Sequence, residues 1–420
     1  MTRVRAGGRF FHSVAVLTAS CLALSLGALP AAQARSPRPR AAAAQLRDKP
    51  APSAPAPVLP PPTGLAVDTL ATHALIIEME TGTVLYHKAA SQRMWPASMT
   101  KMMTAYVVFS LLKEGRAKLT DELPVSVTAW KTGGSKMFVP VNTRISIDDL
   151  LQGMIVDSGN DACVVLAEDL AGSQQAFVDM MNRKAKEIGL TDSHFADVNG
   201  LPNPDHWMTA HDLATLAERT ITDFPEYYHY YAQKEFTFSN IKQGNRNPLL
   251  YTTPGTDGLK TGHTEQSGYS LTASVVRGDR HIIMVLSGLP TMKSRVQESQ
   301  RLIEWAFREF NDYKLFSAGD KVDTAEVWLG AKAKVGLVVG KKLVVTMPRR
   351  SRKEMRVTIS YDRPIPAPIK KGEVIGRLTV TAPNVPTVEV PLYAADDVAQ
   401  IGTFGRIAAL AGYMIWGEQH

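Results

Sequence analysis

Three short motifs in a fixed order carry the chemistry of this chain. The first is Ser98-Met99-Thr100-Lys101. On a helix, residues three apart share a face, so a hydroxyl and an amine meet there. Serine alone is a poor nucleophile and needs a base. Lys101 serves only if it loses its proton, which burial or a nearby cation promotes. The second motif is Ser158-Gly159-Asn160. The Ser158 hydroxyl both donates and accepts, so it can pass a proton towards a leaving amine. Asn160 can orient a peptide group. The third motif is Lys260-Thr261-Gly262, followed by His263. Lys260 supplies the second cation, Lys260 and Thr261 can hold a carboxylate, and Gly262 permits close approach. The backbone amides of Ser98 and His263 are the natural donors to an oxyanion. Each motif alone is common in unrelated chains, and their joint order carries the reading.

The surrounding pattern places each motif where this chemistry needs it. Pro96 precedes a helical run from Ser98 to about Leu112. Helix-period apolar residues run from Asp148 to Leu170 and break at Ser158-Gly159. Further helices are expected over 175–188, from Thr209 through Thr220, and over 297–310. Strands are expected at 74–78 and 84–88 around the Glu80-Thr81-Gly82 turn, and at 259–261, 269–276 and 281–286. The third motif then sits on an edge strand. Strands at both ends with helices between predict an α+β unit whose ends close one sheet. From about Tyr313, strands at 322–329, 343–347, 355–360, 374–381 and 388–392 predict a small all-β domain.

Two residues outside the trio have simpler readings. Glu168 follows Asn160 by two helical turns and is expected to be solvated or paired, not catalytic. Cys163 lies in an apolar helical run and is expected to be a buried structural thiol.

The formal charge is +7, and residues 1–66 account for all of it; the rest of the chain balances. The basic excess therefore reports the N-terminus and gives no nucleic-acid footprint. Arg3, Arg5 and Arg9, an apolar stretch from Val14 to Leu29 and Ala32-Gln33-Ala34 read as a signal peptide, residues 1–34. An uncleaved anchor is the alternative. Nine prolines fall in residues 35–64, so residues 35–66 read as an extended linker. The stretch from Val398 to Trp416 is mostly apolar, short for a span, and reads as a membrane-surface helix with possible peripheral contact. A helix packed on its own domain is the alternative. No metal-ligand cluster and no cofactor-binding loop is evident.

The quoted motifs resemble those of the low-molecular-mass penicillin-binding proteins, the serine-type D-alanyl-D-alanine carboxypeptidases. The resemblance extends to Gln243-Gly244-Asn245-Arg246-Asn247, to Asp257-Gly258-Leu259 before the third motif, and to Ala367-Pro368-Ile369-Lys370-Lys371-Gly372. It implies a penicillin-binding, serine β-lactamase-like transpeptidase fold, an antiparallel sheet flanked by helices, over residues 67–312. It implies a β domain over 313–395 and a terminal anchor helix over 396–420. It further implies that Ser98 forms an acyl-enzyme, Lys101 activates it and Ser158 assists proton transfer. Asn160, Lys260, Thr261, Gly262, His263 and Arg295 would bind substrate, with Thr261 and Arg295 on its terminal carboxylate. The implied reaction removes the last D-alanine from a peptidoglycan stem pentapeptide, with no cofactor and no metal. β-Lactams would acylate Ser98. The implied location is periplasmic, after export.

Three rivals remain at this stage. A β-lactamase of the related class carries a glutamate after the second motif, and the region 194–200 has none. An endopeptidase cutting cross-links would use the same trio. A non-catalytic wall-binding scaffold would leave it idle. Loss of D-alanine release in Ser98→Ala and Lys101→Ala, with the fold intact, is the expectation that separates these.

Overall fold

The computed structural model describes residues 67–403 and 405. The expected signal peptide (1–34) and linker (35–66) lie outside the described residues, as does the terminal stretch from 406.

A five-stranded antiparallel sheet organises the larger part of the chain. Its order across the sheet is Thr83–Lys88, His73–Glu78, Arg280–Leu289, Gly268–Arg277 and Thr256–Thr264. The first expected strand pairs with the last, Ile76 opposite Met284, so the two ends of the domain close one sheet. The strand carrying Lys260-Thr261-Gly262 lies at the sheet edge, with only one strand neighbour.

Period-two alternation splits the central strands between two cores. Ile282, Met284 and Leu286 face a core shared with Leu302, Ile303 and Trp305 of the helix Met292–Glu309. Ile283 and Val285 face the other core, which contains the helices Lys101–Lys113, Ile147–Ile155, Asn160–Ala171, Gln174–Glu187 and Ala210–Asp223. The helix Lys101–Lys113 is buried along its whole length except Lys113. An all-round apolar helix of this kind belongs at the centre of a bundle.

Local chemistry sets the helix limits. Ser146, Ser173 and Thr209 each accept a bond from the amide three residues on. The expected helix 297–310 begins five residues earlier, at Met292. Thr291 and Ser294 form a reciprocal capping box there. Phe310 is not helical; it opens the strand Phe310–Phe316, which pairs with Leu343–Pro348. Two short strand pairs, the hairpin Glu235–Phe238 with Ile241–Gly244 and the pair Glu122–Pro124 with Arg144–Ser146, were not expected from the sequence.

The β domain is a six-stranded sheet beside that two-stranded pair, around its own apolar core of Leu337, Val345, Leu378 and Leu392. A buried guanidinium ties it to the catalytic sheet. Arg280 contacts Glu78 at 3.2 Å and donates to the Phe310 carbonyl at 2.9 Å. Thr346 then links Asp312 to Thr81 of the first turn.

The terminal stretch departs from expectation at its start. Val398 is buried and bridges Ile369, and the Ile401 amide donates to the Leu329 carbonyl. Residues 398–401 are therefore extended, because these main-chain bonds fasten them to the β domain. Residues 403 and 405 are helical, and the expected helix from 406 onward lies outside the described residues. Among the described residues, no helix is long and apolar enough to cross a membrane, and no group of metal-ligating side chains is present.

Candidate active site

Ser98 lies in a single 3-10 turn, Ala97–Thr100, that runs directly into the buried helix starting at Lys101. Ala97 takes a positive φ of 49°, an unfavourable backbone that presents Ser98 at the lip of the cleft. Ser98 is half-buried and therefore reachable.

Lys101 is 1% exposed and its Nζ has three partners. It lies 2.9 Å from Ser98 Oγ, 2.7 Å from Asn160 Oδ1 and 2.7 Å from the Asn199 carbonyl. An unprotonated amine has two N–H groups and one lone pair. The two carbonyl oxygens accept the hydrogens, which leaves the lone pair for the Ser98 hydroxyl. Burial lowers the pKa of Lys101, and Arg246 pushes the same way against Asp197 and Asp161.

Ser158 precedes the helix Asn160–Ala171 and has a φ of 60°. This left-handed turn aims its hydroxyl at Lys260, whose Nζ donates to Ser158 Oγ at 3.0 Å. Both side chains are almost fully buried. Burial holds Lys260 well below the usual lysine range, and the neighbouring Lys101 and Arg246 lower it further. The three motifs, 59 and 102 residues apart along the chain in their bonded pairs, thus form one connected array.

Asn160 links the first and second motifs. Its Oδ1 faces Lys101, and its Nδ2 donates to the Gly133 carbonyl at 2.8 Å. The amide oxygen thus holds the base, and Nδ2 keeps a second hydrogen beyond the one given to Gly133. Asp161 beside it accepts from the amides of Met137, Phe138 and Val139, which pins that loop to the second motif.

Gly262 packs against the turn that holds Ser98. A Cβ there would lie 2.8 Å from the Pro96 carbonyl and 3.2 Å from Ala97 Cβ. The side chain of His263 is exposed and its ring lies 3.9 Å from that of Tyr269. The Arg295 guanidinium lies 5.7 Å from the other neighbour in this stack, the Tyr269 ring, and its Nε has no partner among the described residues. Arg295, Arg246 and Lys260 form a positive wall; Arg246 and Arg295 both act electrostatically on Lys260.

The two residues read as structural behave so. Glu168 accepts from Ser126 and Gln174. Cys163 is buried, with burial pushing its thiol up to about 12.

Four contributors escaped the sequence reading. The Asn199 carbonyl is main chain and leaves no residue-type signal. Arg246 lies in the quoted 243–247 segment but was given no role there, and Tyr269 lies in no quoted motif. Asp157, next to Ser158, is buried, and neither carboxylate oxygen has a protein partner among the described residues. Burial raises its pKa from 3.8 to about 7, opposed by Arg246 and Lys260. The stabilising effect of that bound proton is complete below pH 3.8 and lost as pH rises through about 7. The stability of Asp157→Asn relative to wild type should therefore grow between pH 5 and pH 8, by about 1–3 kcal/mol. Urea unfolding at the two pH values measures this.

The antiparallel sheet backed by helices, with a serine and two buried lysines at its edge, defines a serine acyl-transfer enzyme. Comparison with known proteins identifies its family. Residues 61–291 match the family described as D-alanyl-D-alanine carboxypeptidase, and residues 310–400 match the penicillin-binding protein 5 C-terminal domain. D-alanyl-D-alanine carboxypeptidase DacC of Escherichia coli (strain K12) is 39% identical over 341 residues, covering 79% of this chain and 85% of that protein. Crystal structures of penicillin binding protein 5 from Haemophilus influenzae match with a TM-score of 0.71 and 37% identity, covering 80% of this chain and 99% of that one. Penicillin-Binding Protein D2 from Listeria monocytogenes, in its ampicillin-bound form, matches with a TM-score of 0.53 and 27% identity over 58% of this chain and 99% of that one. The chain belongs to the D-alanyl-D-alanine carboxypeptidase family and is a serine peptidase.

Proposed function

We propose that the protein removes the terminal D-alanine from peptidoglycan stem pentapeptides through an acyl-enzyme on Ser98. The observation that carries this is the seating of Lys101 Nζ between two carbonyl oxygens and Ser98 Oγ. Ser98 attacks the penultimate D-alanine carbonyl as Lys101 takes its proton. The amides of Ser98 and His263 receive the oxyanion. Ser158, bonded to Lys260, gives its own proton to the departing D-alanine nitrogen and takes the one held by Lys101, which leaves Lys101 neutral for the water step. Water then releases the shortened peptide.

The positive wall supports an assignment of the substrate's terminal carboxylate to Lys260, Thr261 and Arg295. A carboxylate arriving there favours the charged form of Lys260. That charge in turn disfavours a second one on Lys101, so binding prepares the base. Export to the periplasm is part of the same proposal and rests on the N-terminal sequence. Membrane contact is proposed only for the stretch after residue 401 and rests on the terminal sequence alone. Domain limits near 67–309 and 310–400 fit the strand that starts at Phe310.

The test is D-alanine release from a pentapeptide by wild type and Ser98→Ala. Release by the wild type and none by Ser98→Ala is expected; equal release by both overturns the assignment. Conversion of cross-linked dimer instead of pentapeptide would favour the endopeptidase reading.

β-Lactams should acylate Ser98 and leave slowly. The region 194–200 offers one carboxylate, Asp197, and it is committed to internal bonds with Asn199, Gly200 and His206. It is not free to activate a deacylating water. Labelled penicillin should remain on the protein through gel electrophoresis; hydrolysis of many equivalents within minutes would reject this.

A further inference from the structure

A second polar array reaches the base through one peptide group. His206 is 1% exposed. Its Nδ1 lies 3.0 Å from Asp197 Oδ2, and its Nε2 lies 2.9 Å from Thr100 Oγ1. A carboxylate only accepts, so Nδ1 donates to Asp197. The other oxygen of Asp197 accepts from the amides of Asn199, at 2.8 Å, and Gly200. The carbonyl of the Asn199–Gly200 peptide accepts from Lys101 Nζ at 2.7 Å. One peptide group thus stands between a carboxylate and the base. Its N–H points to Asp197 and its C=O points to Lys101.

The turn is locked to the first motif at further points. Thr104 Oγ1 donates to the Val198 carbonyl at 2.6 Å, and Gly200 packs against the Ala97 carbonyl. Asp197 and His206 have no direct bond to Ser98, Lys101, Ser158 or Lys260 among the described residues.

We propose that Asp197, held by His206, is a positioning residue that tunes Lys101 through the Asn199–Gly200 peptide. This rests on the reading of Lys101 as the base. A carboxylate accepting from the peptide N–H increases the negative charge on its carbonyl oxygen. That oxygen then better stabilises the ammonium that forms when Ser98 gives up its proton. The carboxylate also fixes the carbonyl's direction, and with it the third direction, in which the lone pair meets Ser98. His206 supplies the opposing donor and keeps the carboxylate turned to the two amides. Consistent with this, His206 and the two amides hold Asp197 below the usual carboxylate range despite the burial that would raise it.

Other groups also face Lys101: Cys163 and Asp161 from the helix Asn160–Ala171, Arg246 from the loop before the edge strand, and Lys260 from that strand. The test must therefore change Asp197 alone. Asp197→Asn keeps the shape and an accepting oxygen but removes the charge. D-alanine release from a pentapeptide is measured against pH for wild type, Asp197→Asn and His206→Gln, with thermal unfolding of each.

In Asp197→Asn, kcat/KM at its plateau should fall about tenfold with KM little changed. Its acid limb should move to lower pH by roughly half a unit to one unit, because the ammonium has lost a stabilising charge. His206→Gln should fall between this variant and wild type. A folded Asp197→Asn with an unmoved limb and a wild-type plateau overturns the proposal. So does a loss of activity that follows only the loss of folded protein. Lys101→Arg is run in parallel. If it still releases D-alanine, the base assignment itself fails, whatever Asp197→Asn does.

Discussion

Replacing Lys101 with arginine abolishes D-alanine release, lowering kcat/KM by roughly 10⁴- to 10⁶-fold, the range seen when a hydrolase loses its base or nucleophile. Arginine keeps a positive charge near Ser98 but does not give up its proton in a protein. If Lys101 acted only as a cation, this variant would retain much of the activity. The seating of Nζ argues otherwise, since two carbonyl oxygens at 2.7 Å accept both hydrogens of a neutral amine and direct its lone pair to Ser98. The pH profile carries the same sign. Burial lowers Lys101 below its ordinary 10.5, so wild-type kcat/KM rises with pH as the amine loses its proton, at a pH below that value. Lys101→Arg should lack this limb. Ser98→Ala should lose activity to a similar extent with its stability intact, because Ser98 is half-exposed. The expectation that Lys101→Ala also leaves the fold intact needs correction. Lys101 is 1% exposed, and its removal leaves Asn160 Oδ1 and the Asn199 carbonyl without their donor. Each such buried acceptor costs about 1–3 kcal/mol. Steady-state release assays beside urea unfolding separate the two effects.

The contrast between Ser98 and Lys101 indicates what the chain discloses without a fold. Motif residues are legible because residue type and spacing are both constrained. A hydroxyl and an amine three residues apart are common singly. At a helix start, followed in order by a serine at a helix break and by Lys-Thr-Gly on an edge strand, they point to one site. The sheet was legible because Ala74–Glu78 and His281–Leu286 are short apolar runs of strand length, rich in branched residues and bounded by turn or charged residues. The partners of the base were not legible. One is the carbonyl of Asn199, a group every residue has. The Asp197 and His206 side chains lie nine residues apart in an irregular loop, where no period relates them. The β-domain strand at Phe310 was missed for another reason. It follows the helix Met292–Glu309 without any turn residue, so nothing in the sequence marks the change. Asn160 is intermediate. Its place in the motif was legible, but the direction of its amide depends on Gly133, 27 residues earlier.

Gly200→Ala should cost at least 100-fold in acylation by penicillin and roughly 2–5 kcal/mol in stability. Two terms add at this position. Gly200 has a φ of +83°, which an L side chain disfavours. A Cβ would also lie 1.8 Å from the Ala97 carbonyl oxygen, well inside the 3.0 Å that real Cβ atoms respect. Gly189→Ala isolates the first term, because its φ is +86° and nothing lies within 4 Å of its added Cβ. That control should lose only about 1–2 kcal/mol and acylate at the wild-type rate. At Gly200 the overlap must be relieved by moving backbone. If the turn moves, the Asn199 carbonyl leaves Lys101. If Ala97 moves, Ser98 moves with it. Retreat of Ala97 towards the edge strand is also obstructed, because Gly262 already packs against Pro96 and Ala97 from that strand. The nucleophile's turn is held between two glycines, each without a side chain because backbone approaches it closely. A misplacement of about 1 Å in such a site costs on the order of 100-fold, so the acylation rate responds more sharply than the unfolding midpoint. Wild-type acylation in a folded Gly200→Ala would mean that this contact does not set the position of Ser98.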